Sequence, residues 1–193
     1  MTVRKAIAER EGLYFITITC ARWLPLFQLT EGYDIVYTWF DYLKRNSHFI
    51  VGYVIMPNHF HCLIAFKNSS RKLNSVIGNG KRFMAYELVK RLKEKKEDSI
   101  LTHLASWVND TDRKRGKIHE VFEPSFDAKE CYTDKFIEQK LNYIHENPCR
   151  GKWLLAETPN GYPHSSAAFY LTGIQGGYPI KNFMELKDID LTK

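Results

Sequence analysis

Residues 48–66 read HFIVGYVIMPNHFHCLIAF, two apolar runs joined by a Pro-Asn pair. Both runs are rich in β-branched and aromatic residues, which is typical of β-strands. Pro57 presets its own φ and favours a tight turn, so the two runs are expected to form a β-hairpin. The first run is apolar at both alternating sets of positions, and such a strand is usually central in its sheet and covered on both faces.

The segments on either side of this hairpin extend it to a known supersecondary pattern. Residues 13–19 predict an earlier strand, and a later strand is expected within 121–132. Apolar residues at helical spacing predict helices over 31–45 and 72–95, and a third helix over 133–148, capped by Thr133 and ended by Pro148. The order predicts an α+β fold with a ferredoxin-like βαββαβ core. In it, helices lie on an antiparallel sheet, and a C-terminal helix and a loop-rich tail follow.

The chain has 193 residues, which is the size of one domain. We expect a single domain over residues 1–193, with a core of about 10–150 and a C-terminal extension of about 151–193. Within the core, residues 97–118 are expected to be a polar connector. In the extension, a short helix is expected over 165–171, and no role follows for the residues after Gly173.

Composition restricts the class of protein. Hydrophobic residues make up 44% of the chain, which excludes wholesale disorder. No run approaches the ~18 apolar residues of a membrane span, and no apolar leader follows Met1, so we expect a cytoplasmic protein without a membrane partner. The four cysteines form no CxxC pair, which fits reduced thiols. The net charge of +6 favours a polyanionic partner.

Two histidines lie two residues apart on the second strand of the hairpin. Since side chains alternate along a strand, His59 and His61 share one face, whereas Phe60 and Cys62 point to the other. Two imidazoles on one face can converge on a metal ion, and imidazole chemistry alone favours Zn, Fe, Ni or Cu. The other interpretation is two polar residues on a half-exposed strand.

A tyrosine lies near the end of the third predicted helix. Tyr143 and Asn147 are four residues apart and neighbours on one helix face, and Gln139 and Lys140 lie one turn earlier. A phenol with a pKa of ~10 is a poor nucleophile unless the phosphate that it attacks is polarised by a metal. The residues alone leave open whether Tyr143 is a nucleophile or a packing residue.

Several basic residues are candidate phosphate contacts in nucleic acid. They lie near the ends of predicted elements, along the second helix and in the connector: Arg22, Lys81, Arg82, Lys90, Arg113, Lys114, Arg115, Lys117 and Arg150. Exposed aromatic residues such as Trp23 could stack on unpaired bases beside them. A solvated helix face and a polar loop explain the same charges equally well.

Taken together, four segments resemble the single-tyrosine HUH transposases, and among these the branch associated with repetitive extragenic palindromes (REP). They are YFIT (14–17), VIMPNHFH (54–61), LNYIHENP (141–148) and YPHSS (162–166), the last a variant of the Trp-Pro-Tyr-Ser-Ser segment of that branch. The resemblance covers most of the chain. Its specificity comes from the order and spacing of the histidine and tyrosine motifs, since neither alone would be specific.

The resemblance implies roles for individual residues. His59 and His61 fall on the two HUH histidines, with Phe60 as the bulky apolar residue between them. Tyr143 falls on the nucleophile, and Asn147 on the third metal-binding position. Related transposases outside the branch usually carry Gln at that position, and Asn is one methylene shorter. The family uses Mg²⁺ or Mn²⁺, which replaces the metals that imidazole chemistry alone favours.

The implied activity is metal-dependent cleavage and strand transfer of single-stranded DNA that is folded as a hairpin, through a covalent 5′-phosphotyrosine. Two other functions stay open: a catalytically inactive hairpin-binding protein derived from a transposase, and a metal-dependent hydrolase of small phosphoesters. The expected partner is single-stranded or hairpin DNA. A homodimer is a further expectation, since relatives include monomers and domain-exchanged dimers in which Tyr143 would serve the partner's histidines.

Overall fold

The computed structural model describes residues 11–67, 72–151, 153–189 and 191. Within these residues, one antiparallel sheet has the strand order β2-β3-β1-β4. The strands are β1 (Gly12–Thr19), β2 (Phe49–Met56), β3 (His59–Phe66) and β4 (Asp127–Glu130). Helices connect β1 to β2 and β3 to β4, so this order is the ferredoxin-like arrangement. The predicted fold class is confirmed.

Helices precede and follow these strands in the described part of the chain. They are α1 (Leu26–Leu29), α2 (Tyr33–Arg45), α3 (Leu73–Glu94), α4 (Asp98–Ser106), α5 (Asp110–Lys114), α6 (Asp134–Glu146) and α7 (Ala167–Thr172). Short 3₁₀ turns cover Ala21–Trp23, Asn147–Cys149, Pro159–Gly161 and Phe183–Asp188. None of these helices is long and apolar enough to cross a membrane.

The polar connector predicted over 97–118 holds two helices that the sequence did not predict, α4 and α5. The two helices bury little: Leu104 is the only buried residue of α4, and α5 has none. Their polar composition therefore concealed the helical periodicity. Local capping supports α5, since the Asn109 side chain accepts a hydrogen bond of 2.9 Å from the backbone N–H of Asp112.

Two apolar layers lie on opposite faces of the sheet. The larger layer packs α2 and α3 against Phe60, Ile64 and their neighbours. The smaller layer packs Leu141 and Ile144 of α6 against Leu63 on the opposite face. The histidines of β3 alternate with its residues of the larger layer, and they therefore lie on the α6 face, as predicted.

The hairpin strand β2 lies at an edge of the sheet, and the prediction that it is central is wrong. Its burial on both faces comes from the two helical layers, while the C-terminal extension covers its outer edge. The backbone N–H of Ile55 donates to the carbonyl of His164 (2.9 Å), and that of Lys181 donates to the carbonyl of Ile50 (2.9 Å). These bonds satisfy edge groups that would otherwise need water.

A glycine of α3 sets the distance between α3 and α2. A Cβ added at Gly80 would overlap the indole of Trp39, whereas one added at Gly78 would meet nothing within 4 Å. We expect Gly80→Ala to lower the free energy of unfolding by about 1–3 kcal/mol through overpacking. Gly78→Ala on the same helix should raise it by about 0.5–1 kcal/mol. Urea unfolding followed by circular dichroism measures both, and equal effects would contradict the packing.

Candidate active site

The two histidines of β3 are buried on the α6 face, 7% and 4% exposed. Their ring centroids are 4.8 Å apart. Burial lowers the pKa of His59 to about 4 and holds the pKa of His61 well below its usual value. Both imidazoles are therefore neutral near pH 7, which is the form that binds metal ions.

Asn58, in the turn of the hairpin, orients His59. Its side-chain N–H donates to the carbonyl of Trp23 (3.2 Å), which can only accept. The amide oxygen therefore faces Nδ1 of His59, at 2.7 Å. Because an amide oxygen also only accepts, Nδ1 carries the proton and Nε2 of His59 keeps its lone pair.

His61 has one ring nitrogen with a hydrogen-bond partner and one without among the described residues. Its Nδ1 lies 2.8 Å from the hydroxyl of Thr17, the residue opposite His61 on β1. Its Nε2 is buried and has no hydrogen-bond partner in the part of the chain that the structure describes. Such a buried, unsatisfied atom costs about 1–3 kcal/mol. A divalent cation would satisfy Nε2, so the pair of histidines fits a metal site.

Helix α6 places Tyr143 beside this pair. The helix begins where the Thr133 hydroxyl accepts a hydrogen bond of 3.2 Å from the backbone N–H of Phe136, and it ends before Pro148, as predicted. Packing of its apolar stripe turns Tyr143 to the edge of the layer, with its ring centroid 5.1 Å from that of His61. The residue is 49% exposed, so it is accessible to a ligand.

A cleft of about 330 Å³ joins these elements. Its lining consists of Trp23, Asn58, His59, Tyr143, Asn147, Arg150, Gly151 and Trp153. The structure thus brings His59 together with Tyr143 and Asn147, which lie more than 80 residues later in the sequence, within a single chain. The arrangement needs no residue from a second copy, and the homodimer stays a prediction.

Asn147 is the first residue after α6 and is half-buried. The described residues contain no group of three His, Cys, Asp or Glu side chains that could hold a metal ion. A third protein ligand would therefore have to be of another kind, and the amide oxygen of Asn147 is of that kind. Its role as a ligand stays a prediction.

Lys140 brings a positive charge to the same helix face. Its Nζ lies 4.7 Å from the ring centroid of Phe15 and 5.9 Å from that of Tyr143. Desolvation lowers the pKa of Lys140. The sequence places Lys140 near Tyr143, but no role was predicted for it. Its position three residues before the tyrosine indicates that the two side chains are neighbours on the helix.

Several of the predicted phosphate contacts are engaged within the protein. The Lys81 ammonium donates to the carbonyl of Glu123 (2.6 Å). Arg113 donates to two carbonyls near the end of α4, and Lys117 forms an ion pair with Glu120 (2.6 Å). These bonds stabilise loops and helix ends, and DNA would compete with them for the cations.

The other predicted phosphate contacts are exposed: Arg22, Arg82, Lys90, Lys114, Arg115 and Arg150. Arg150 lines the cleft and forms an ion pair with Glu146 (2.5 Å), and Arg22 is adjacent to Trp23. Arg82 and Lys90 lie on α3, which covers the other face of the sheet. The structure therefore brings only part of the basic set to the cleft.

Sequence reasoning missed Asn58 and Thr17 as partners of the histidines. Asn58 could have been noticed as the residue before His59 in the turn. Thr17 carries no signal in the sequence, because its contact with His61 depends on the register between β1 and β3.

Comparisons with known proteins give a likeness in structure. The sequence matches no protein-family model and no curated protein. A solved REP-associated tyrosine transposase bound to a REP hairpin is 17% identical, covers 95% of each chain and has a TM-score of 0.62. A candidate transposase from Deinococcus radiodurans R1 is 16% identical over 75% of this chain and 96% of its own, with a TM-score of 0.41. The chain therefore has the fold of the REP-associated tyrosine transposase.

Proposed function

We propose that this chain is a single-tyrosine HUH transposase of the REP-associated branch, which cleaves and rejoins single-stranded DNA at hairpins. Tyr143 is the nucleophile, and His59, His61 and Asn147 hold Mg²⁺ or Mn²⁺. The observation that carries the proposal is the position of the Tyr143 ring, 5.1 Å from the ring of His61, whose buried Nε2 has no hydrogen-bond partner among the described residues. The fold shared with a hairpin-bound transposase supports the choice of DNA.

The proposed reaction conserves the number of phosphoester bonds. The Tyr143 oxygen attacks the scissile phosphorus, the Oη–P bond forms and the P–O3′ bond breaks. The phenol gives its proton to solvent, and the leaving 3′ oxygen takes one up. The products are a 5′-phosphotyrosine and a free 3′-hydroxyl. A second 3′-hydroxyl reverses the step, so joining needs no ATP.

The chain's own residues prepare this step. Asn58 holds the imidazole of His59 so that its Nε2 is available as a ligand, and the Thr17 hydroxyl can accept from Nδ1 of His61 to the same effect. A bound Mg²⁺ or Mn²⁺ would supply Lewis-acid polarisation of a nonbridging phosphate oxygen. Lys140 places a positive charge near the phenol ring, where it favours the phenolate that forms when the proton leaves.

Two residues that depart from the family pattern, Tyr162 and His164, could point to an inactive hairpin-binding protein. Their positions in the structure weaken that alternative. The Tyr162 hydroxyl donates to the carbonyl of Ile55 (2.8 Å), and the His164 ring is stacked on Tyr33 with centroids 3.8 Å apart. Both residues attach the extension to the sheet and α2, and neither lines the cleft. Their replacement is therefore compatible with catalysis.

The test of the proposal is a covalent adduct between protein and DNA. The full chain is incubated with Mg²⁺ or Mn²⁺ and a labelled pool of hairpin oligonucleotides with randomised flanks. We expect labelled protein on a denaturing gel and a free 3′-hydroxyl on the released strand. Tight binding without an adduct under either metal would favour the inactive protein. Turnover of a chromogenic phosphodiester without any adduct would favour a hydrolase.

Asn58 offers a test of how His59 is oriented. We expect Asn58→Ala to raise the Mn²⁺ concentration needed for half-maximal adduct formation by roughly 10- to 100-fold, because His59 loses its acceptor. Asn58→Asp keeps an acceptor for Nδ1 and should lose less. Equal losses in both variants would contradict the orienting role.

A further inference from the structure

We infer that Trp23 is a stacking platform for an unpaired nucleobase beside the scissile phosphate. The inference rests on the proposed function and names the part of the DNA that the cleft receives. Trp23 lines the cleft together with Tyr143, and its ring centroid lies 5.5 Å from that of His59. A base stacked on Trp23 would therefore lie next to the phosphate that faces the two histidines.

The indole of Trp23 is presented to solvent. The residue is 58% exposed, whereas Trp39 in the larger apolar layer is 2% exposed. Tryptophan is strongly buried on average, and an exposed one contributes little to the core. A free indole face beside a cleft is suited to bases, because every base has a flat π-face that can stack on it.

The backbone that carries this ring adopts an uncommon conformation. Arg22 and Trp23 have φ values of 52° and 60°, in the left-handed region that residues other than glycine rarely adopt. Hydrogen bonds hold them there: the Trp23 N–H donates to the carbonyl of Cys20 (3.0 Å), and its own carbonyl accepts from Asn58 (3.2 Å). Burial of the ring does not account for the strain, and strain held in this way is typical of functional sites.

Asn58 also links the platform to the histidines. The amide that accepts from His59 donates to the carbonyl of Trp23, so one buried side chain joins the ring of His59 to the backbone that carries the Trp23 ring. Two hydrogen bonds, of 2.7 and 3.2 Å, therefore fix the backbone of Trp23 relative to His59.

The charges around the cleft agree with a nucleic acid. Its lining among the described residues contains Arg150, which is paired with Glu146 outside the lining, and no carboxylate. The Arg22 guanidinium lies 5.7 Å from the ring centroid of Trp107, at the side of the platform. Bases within a duplex are already paired and stacked, and their faces are not free. The ligand class is therefore an unpaired nucleotide in single-stranded DNA next to the hairpin.

The experiment couples changes in the protein to changes in the DNA. Hairpin oligonucleotides that form the adduct are made abasic at one flanking position at a time, and their Kd is measured by fluorescence anisotropy in a Tyr143→Phe background. We expect one abasic position to weaken binding by roughly 5- to 150-fold. Trp23→Ala should weaken binding of the intact oligonucleotide to a similar degree and lose sensitivity to that one position.

Two further variants separate stacking from a structural effect. Trp23→Phe keeps a flat ring and should keep most of the affinity, and Tyr86→Ala, an exposed aromatic on α3, should keep the parent's sensitivity to the abasic position. If the loss of affinity from Trp23→Ala and the loss from an abasic position are additive at every position, the inference is overturned. The adduct would still form in that case, so the proposed function would stand. A parent protein that binds no hairpin would overturn the proposed function as well.

Discussion

Tyr143→Phe should abolish the covalent adduct with hairpin DNA while leaving the fold and the affinity for the hairpin unchanged. The substitution removes only the hydroxyl oxygen, which in the proposed reaction forms the bond to phosphorus. The ring is half-exposed and keeps its edge contacts with Phe15 and His61, so packing of α6 is not affected. Loss of a nucleophile lowers the rate of the catalysed reaction by roughly 10³-fold or more, so no adduct should be detected.

The matched control is Tyr132→Phe. Tyr132 is more exposed than Tyr143, lies shortly before α6, and donates a hydrogen bond to Glu130 at the surface. It should form the adduct at the rate of the parent. Labelled protein is quantified on a denaturing gel, and binding is measured by anisotropy. An adduct that persists in Tyr143→Phe would show that another residue is the nucleophile.

His61→Leu should separate function from stability. Nε2 of His61 is buried without a hydrogen-bond partner in the described residues, so an apolar side chain of similar size removes an unsatisfied atom. The substitution also removes the hydrogen bond between Nδ1 and the Thr17 hydroxyl, so the two effects oppose each other and we expect the free energy of unfolding without metal to change little. Adduct formation should fall by roughly 10²-fold or more, because one of the proposed ligands is lost.

Thermal unfolding with and without Mn²⁺ gives a second readout. A metal that binds only the folded parent stabilises it by about 2.7 kcal/mol at a hundredfold excess over Kd. His61→Leu should lose this stabilisation. The control is His103→Gln, since His103 is exposed on α4 and should keep it. A full Mn²⁺ effect in His61→Leu would contradict the proposed metal site.

Local patterns in the sequence were sufficient for the parts of the fold that depend on neighbouring residues. Alternation along β3 placed His59 and His61 on one face, and the structure confirms that face. Thr133 and Pro148 predicted the ends of α6 correctly, because capping and the geometry of proline act within one turn. The catalytic and metal-binding roles stay predictions, since they came from a resemblance and not from these patterns.

Contacts between distant segments decided the rest. The edge position of β2 is set by the order of strands in the sheet, and burial on both faces concealed it in the sequence. Residues after 160 cover the outer edge through backbone hydrogen bonds. The pairing of Thr17 with His61 depends on strand register, and the cleft depends on how α6 packs on the sheet. Periodicity reports only which residues share a face. Which faces meet is set by burial and hydrogen bonding in the folded chain, and only the tertiary structure brings Tyr143, Trp23 and the histidines together.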